Sequence, residues 1–88
     1  MRICDDRVDI GGVSVSPHHF IGGERHASDE SFEVRSPLDW KWKLADVSAG
    51  DAETAAFALD AAVEGFQAWS ALSASERAAI MHRMADLI

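Results

Sequence analysis

Residues 49–88 read AGDAETAAFALDAAVEGFQAWSALSASERAAIMHRMADLI, and this stretch decides the fold class of the chain. Asp51 stands where a helix N-cap is needed, and Glu53 follows in the first turn, where the helix dipole favours negative charge. Ala55, Ala58, Leu59, Ala62 and Phe66 recur at helical spacing, with Trp69 a turn further on. The spacing predicts a first helix over 51–64 whose last turn is weakened by Gly65, and small alanines on its face would admit a close neighbour. Ser73 lies three residues before Glu76, the spacing of a capping box, so a second helix is expected over 74–88. Its apolar stripe of Ile80, Met84, Leu87 and Ile88 runs to the last residue with no Gly, Asn or basic cap. Both faces look shaped for a partner that these 40 residues do not supply, and the simplest expectation is a truncation point within a longer protein.

Upstream the hydrophobic period shortens to two. In HFIGGER (19–25), Phe20 and Ile21 precede Gly22-Gly23, a pair suited to the positive φ angles of a tight hairpin turn. SFEVRSP (31–37) alternates Phe32 and Val34, expected inward, with Glu33 and Arg35 outward, and Pro37 stops the run. KLADVSAG (43–50) offers a further short strand through Leu44 and Val47. Residues 18–48 therefore read as a small antiparallel β-hairpin unit. In residues 1–17, Val13 and Val15 could supply an edge strand, but Gly11, Gly12 and Pro17 favour an extended or mobile arm. The three units expected are an arm over 1–17, a β unit over 18–48 and a helical pair over 49–88.

Composition excludes several classes of function. The chain has 88 residues and a net charge of −7, which opposes binding to nucleic acid and to anionic membrane surfaces. A single cysteine, Cys4, forms no internal disulfide, and a reducing, cytoplasmic setting is expected. Asp5, Asp6 and Asp9 break the N-terminal region too often for a signal peptide. No run approaches the roughly 20 apolar residues of a membrane span.

Candidate sites are few. Cys4 is the only thiol nucleophile on offer, but its neighbours Asp5 and Asp6 oppose the electropositive setting that catalytic thiols need, so an incidental role is favoured. His18, His19, His26 and His82 make no i, i+4 pair, and none stands at a familiar ligand spacing to a Cys or carboxylate; surface or turn-flanking histidines are the expectation. In WKWK, a strand would place Trp40 and Trp42 on one face with Lys41 and Lys43 on the other. Such a platform stacks single-stranded nucleic acid in some proteins, but against the acidic charge a packing face is favoured. Gly11-Gly12 and Gly22-Gly23 are isolated pairs and not phosphate-cradling loops. No catalytic, cofactor-binding or metal-ligating residue is assigned within the 88.

The order of these elements resembles the N-terminal segment of the aldehyde dehydrogenase superfamily. HFIGGER resembles that family's opening FI-N-G hairpin, and FEVRSPLD its strand ending in N-P-x-T/D-G, with Ser36 in place of Asn. Residues 44–88 resemble its next stretch, a strand, a helix of the type A-V-x-A-A-x-x-A-F-x-x-W, then L-S-x-x-E-R-A-x-x-L-x-x-L-A-D-L-I. Ala58, Leu59, Ala62, Phe66, Trp69, Glu76, Arg77, Ala85, Asp86, Leu87 and Ile88 stand at matching positions. The S-P-x-D strand end is shared with semialdehyde-type members. Trp40 replaces the family's turn glycine, and WKWKLAD carries one residue more than the usual connection, which puts the register over 38–44 in question.

The resemblance implies an α/β fold, with the β-hairpin unit and two helices opening a truncated NAD(P)-binding domain. It implies NAD- or NADP-dependent oxidation of an aldehyde to a carboxylic acid in a full-length homo-oligomer. That reaction proceeds through a covalent thiohemiacetal on cysteine, then hydride transfer and thioester hydrolysis. Cys4 does not match the family's nucleophile, so no catalytic residue carries over, and the isolated chain is expected to be inert and to bind no cofactor. The competing expectation is a non-catalytic interaction module that docks through the open stripe of the second helix.

Overall fold

Two Gly-Gly pairs set the strand half of the molecule. In the computed structural model, which describes residues 1–88, Gly22 and Gly23 both take positive φ (61° and 81°) between strands β4 (His19–Ile21) and β5 (Glu24–Ala27). Two consecutive positive φ values make a type I′ turn, whose twist matches the flanking strands. Gly11 and Gly12 (60° and 86°) do the same between β2 (Val8–Ile10) and β3 (Val13–Val15). The Asp9 carboxylate accepts the Gly12 N–H at 3.0 Å and braces that turn.

Within the first 17 residues, expected as an extended or mobile arm, three short strands form. β1 (Arg2–Ile3) pairs antiparallel with β5 and completes a three-stranded sheet in the order β1-β5-β4. The Cys4 N–H extends this ladder by donating to the Arg25 carbonyl at 3.0 Å. β2 and β3 form their own two-stranded ribbon. Read locally, a Gly pair signals either freedom or a required positive φ; here the flanking valines and Ile10 supply the strands that make it the latter.

β6 (Ser31–Arg35) pairs with β7 (Lys43–Ser48) in a third antiparallel sheet. Its register shifts between Val34↔Ala45 and Arg35↔Lys43, so Leu44 is the extra residue of a β-bulge. Trp40 and Lys41 lie in the connecting turn and Trp42 in an irregular position before β7, so the two tryptophans do not share a strand face. Asp39 builds the turn in place of a glycine. Its carboxylate accepts the Lys41 N–H at 3.0 Å and its carbonyl accepts the Trp42 N–H at 2.9 Å. No residue other than glycine has positive φ, so Trp40 carries no backbone strain. Phe32, expected inward, is about half exposed (53%) because nothing covers that face of the β6–β7 ribbon.

Helix α1 (Ala52–Ser70) is capped by the Asp51 carboxylate, which accepts the Thr54 N–H at 2.9 Å. It continues past Gly65 to Ser70, six residues beyond the expected end. One helical glycine costs about 1 kcal/mol relative to alanine, too little to stop a helix already nucleated and well capped. Helix α2 (Ala74–Leu87) opens with the expected capping box: the Glu76 N–H donates to Ser73 Oγ, and the Ser73 N–H donates to the Glu76 carboxylate.

The core is thin. Six residues are buried: Ile21, His26, Ala27, Ser36, Ala45 and Ser48, all in or next to strands, and neither helix buries one. The Cα radius of gyration is 16.5 Å, where a compact chain of this length has about 12 Å. The strands close on one another; the helices lie largely open.

Candidate functional site

Helix α1 meets the strands through a face different from the one its alanine pattern indicated. Thr54, Ala58 and Ala61 are its half-buried positions. Phe57 joins them by setting its ring edge-on to His26, with centroids 5.1 Å apart and planes at 71°. Ala61 lies against the Gly22 turn, where an added Cβ would come within 3.9 Å. Of the expected face of Ala55, Ala58, Leu59, Ala62 and Phe66, only Ala58 is partly covered. Leu59 (65% exposed) and Phe66 (67%) face solvent. The helix is rotated so that Thr54, Ala58, Ala61 and the Phe57 ring edge meet the strands while Leu59 and Phe66 point away. On α2, Ile80 is half-buried while Met84, Leu87 and Ile88 are exposed. Val63 on α1 and Met81 on α2 are exposed as well.

The N-terminus of α1 opens a shallow recess lined by Ser28, Asp29, Glu30, Gly50, Asp51 and Glu53 among others. Helix N-termini attract phosphate through their free N–H groups. Here the Asp51 carboxylate already accepts one of those donors, the Thr54 N–H, and that hydrogen bond holds its carboxyl below the usual range. Four carboxylates around the recess repel a pyrophosphate further. The β7–α1 connection is a capped, acidic helix start and does not fit a dinucleotide phosphate.

The polar side chains singled out in the sequence are placed as follows. His19 Nε2 is 2.8 Å from Ser28 Oγ, and His26 packs on Phe57; both serve the β unit. His82 lies exposed on α2. Lys43 pairs with the Asp46 carboxylate at 2.8 Å, a hydrogen bond that raises its pKa, and lies 3.9 Å from Glu33. His18 Nδ1 is 2.8 Å from Ser48 Oγ, while His18 Nε2 is buried without a partner. Sequence reasoning left Cys4 and His18 unrelated. The structure brings Cys4, Asp6 and His18 together, one potential ligand atom from each lying within 4.8 Å of the other two. Only the pairing of β1 with β5 creates that proximity, and no local spacing signals it.

Strand hairpins and two capped helices define a small α/β unit consistent with a fragment of a larger domain. Residues 24–88 match the aldehyde dehydrogenase family, and the chain belongs to that family. It is 36% identical over 72 residues to betaine aldehyde dehydrogenase of Vibrio vulnificus, covering 80% of this chain and 15% of that protein. It is 46% identical over 70 residues to vanillin dehydrogenase of Pseudomonas sp. strain HR199 (77% of this chain, 14% of that protein). It is 35% identical over 71 residues to 5-carboxymethyl-2-hydroxymuconate semialdehyde dehydrogenase of Escherichia coli (81% and 15%). The chain thus spans about 15% of the length of the curated relatives it matches. No solved structure matches it significantly. No helix is long and apolar enough to cross a membrane.

Proposed function

We propose that these 88 residues serve as the N-terminal segment of an NAD- or NADP-dependent aldehyde dehydrogenase, a cytoplasmic homo-oligomer that oxidises an aldehyde to a carboxylic acid. The observation that carries this reading is the exposure of Leu59 and Phe66 on α1 and of Met84, Leu87 and Ile88 at the end of α2, within a chain that matches the family over residues 24–88. Burying a large apolar side chain fully contributes about 1.5–3 kcal/mol. Several such gains are withheld while these side chains face water, and a partner body would release them.

The segment's role is structural. Cys4 lies beside Asp6 and has no base hydrogen-bonded to it, and the α1 N-terminus repels the cofactor's phosphates. On this reading the isolated chain turns over no aldehyde, and neither nucleophile nor cofactor site is drawn from residues 1–88. The relatives' names specify three different aldehydes, so the substrate is proposed only as a class.

A chimera tests this. Residues 24–88 replace the matching segment of the Pseudomonas vanillin dehydrogenase, and NADH or NADPH formation from vanillin is followed. A soluble chimera that retains turnover supports the reading. A soluble chimera without turnover, alongside an active control carrying the Vibrio segment, would contradict it and favour an interaction module.

A further inference from the structure

The cluster of Cys4, Asp6 and His18 lies outside everything the proposed dehydrogenase role uses. Cys4 is half-buried where β1 runs out along β5, Asp6 is exposed two residues further on, and His18 is half-buried just before β4. A thiol, a carboxylate and an imidazole each bring one ligand atom within 4.8 Å of the others. In a tetrahedral zinc site, metal–ligand bonds of about 2.0–2.3 Å place ligand atoms roughly 3.3–3.6 Å apart, so a closure of about 1 Å completes the geometry. Asp6 is exposed on the link between β1 and β2 with no hydrogen bond to its carboxylate, and its side chain can supply that movement.

His18 is arranged as a ligand usually is. Metal-bound histidines use one ring nitrogen for the ion and hydrogen-bond through the other, which fixes ring and tautomer. Ser48 Oγ is 2.8 Å from Nδ1 and also accepts the Ser28 N–H at 3.3 Å. With Nδ1 protonated and donating to Ser48, Nε2 presents a lone pair, and Nε2 is the buried side-chain atom of this protein that lacks a hydrogen-bond partner. A buried polar atom left unpaired is costly, and an ion would satisfy it. The nearby Arg25 guanidinium lies over the Phe20 ring, 4.6 Å from its centroid, and donates to the His18 carbonyl at 3.3 Å.

We propose that Cys4 Sγ, an Asp6 carboxylate oxygen and His18 Nε2 bind one zinc-class divalent cation, with water in the fourth position. Mixed sulfur, nitrogen and oxygen ligation suits Zn²⁺ and excludes Mg²⁺ and Ca²⁺, which take oxygen ligands. Binding displaces the Cys4 thiol proton to solvent and fastens the first strand to the β4–β5 hairpin and the end of β7.

The test uses the 88-residue chain, reduced with a non-thiol reductant and stripped with a chelator. Zn²⁺ is titrated against a chromophoric competitor, and Co²⁺ is followed by its thiolate charge-transfer absorption. One equivalent per chain is expected, with the cobalt–thiolate band lost in Cys4→Ser. Asp6→Ala and His18→Gln should each weaken Zn²⁺ at least tenfold, while Asp5→Ala and His82→Gln leave it unchanged. Asp6 is exposed, so Asp6→Ala carries the test even if His18→Gln disturbs the strands by circular dichroism. Unchanged affinity in Asp6→Ala, or the absence of a cobalt–thiolate band in the unaltered chain, overturns the proposal and leaves adventitious binding by a single side chain.

Discussion

His26 and Phe57 hold the strand and helix halves of this protein together, their rings meeting edge-on with centroids 5.1 Å apart. His26 is buried in β5, whereas Phe57 remains 44% exposed on α1. Edge-to-face pairs add about 0.5–1.5 kcal/mol beyond the area they bury.

Phe57→Ala should therefore cost about 1–2 kcal/mol, less than the 3–5 typical of a fully buried Phe. The loss should be local. Hydrogen exchange is expected to quicken across α1 while the β6–β7 amides keep their protection, since that ribbon is held by its own ladder. Equal loss of protection in β6–β7 would show that the sheets depend on α1.

The glycine turns make a second prediction. Gly22 at φ 61° has open space around it apart from Ala61, so a valine there is opposed mainly by the backbone. Left-handed φ costs a non-glycine residue roughly 1–2 kcal/mol, and a β-branched residue lies at the upper end. Gly22→Val should lower the denaturation midpoint and Gly22→Asn should largely restore it. Equal effects of both substitutions would point to packing rather than φ as the cause.

Acid should loosen the start of α1. The Asp51 carboxyl lies below its ordinary 3.8, chiefly through the Thr54 N–H hydrogen bond. A carboxyl with a lower pKa folded than unfolded stabilises the folded state above the unfolded value and loses that contribution as pH falls through the folded one. Helicity should accordingly drop below pH ~4, and Asp51→Asn, which keeps a capping oxygen but does not titrate there, should flatten the transition. At the alkaline end the sign reverses. Lys43, raised chiefly by its hydrogen bond to Asp46, contributes below its ordinary 10.5 and loses that contribution above it.

Local chemistry made much of this fold legible in advance. Asp51, Ser73 and Glu76 cap the helices as their spacing indicated, and Gly22-Gly23 turns the β4–β5 hairpin. What escaped was long-range. Whether Gly11-Gly12 is slack or a tight turn depends on Val8 finding Val15 across it. Which face of α1 packs depends on where the hairpin sits, and the close approach at Gly22 selects Ala61 over Leu59. The Cys4–Asp6–His18 cluster needs β1 to cross to β5, a pairing of residues 25 apart that no motif announces.

The central claim is that the helical faces of this family member await a covering body, and sedimentation equilibrium of the 88-residue chain tests it most directly. The account predicts self-association that rises with concentration, binding of a hydrophobic dye, and a shift toward monomer in Leu87→Lys/Ile88→Lys with far-ultraviolet circular dichroism preserved. Leu87 and Ile88 are almost wholly exposed, so these changes remove stickiness without removing packing. A monomer at every concentration that unfolds in one cooperative step and binds no dye would contradict the account, because the strands and two helices would then close a core of their own.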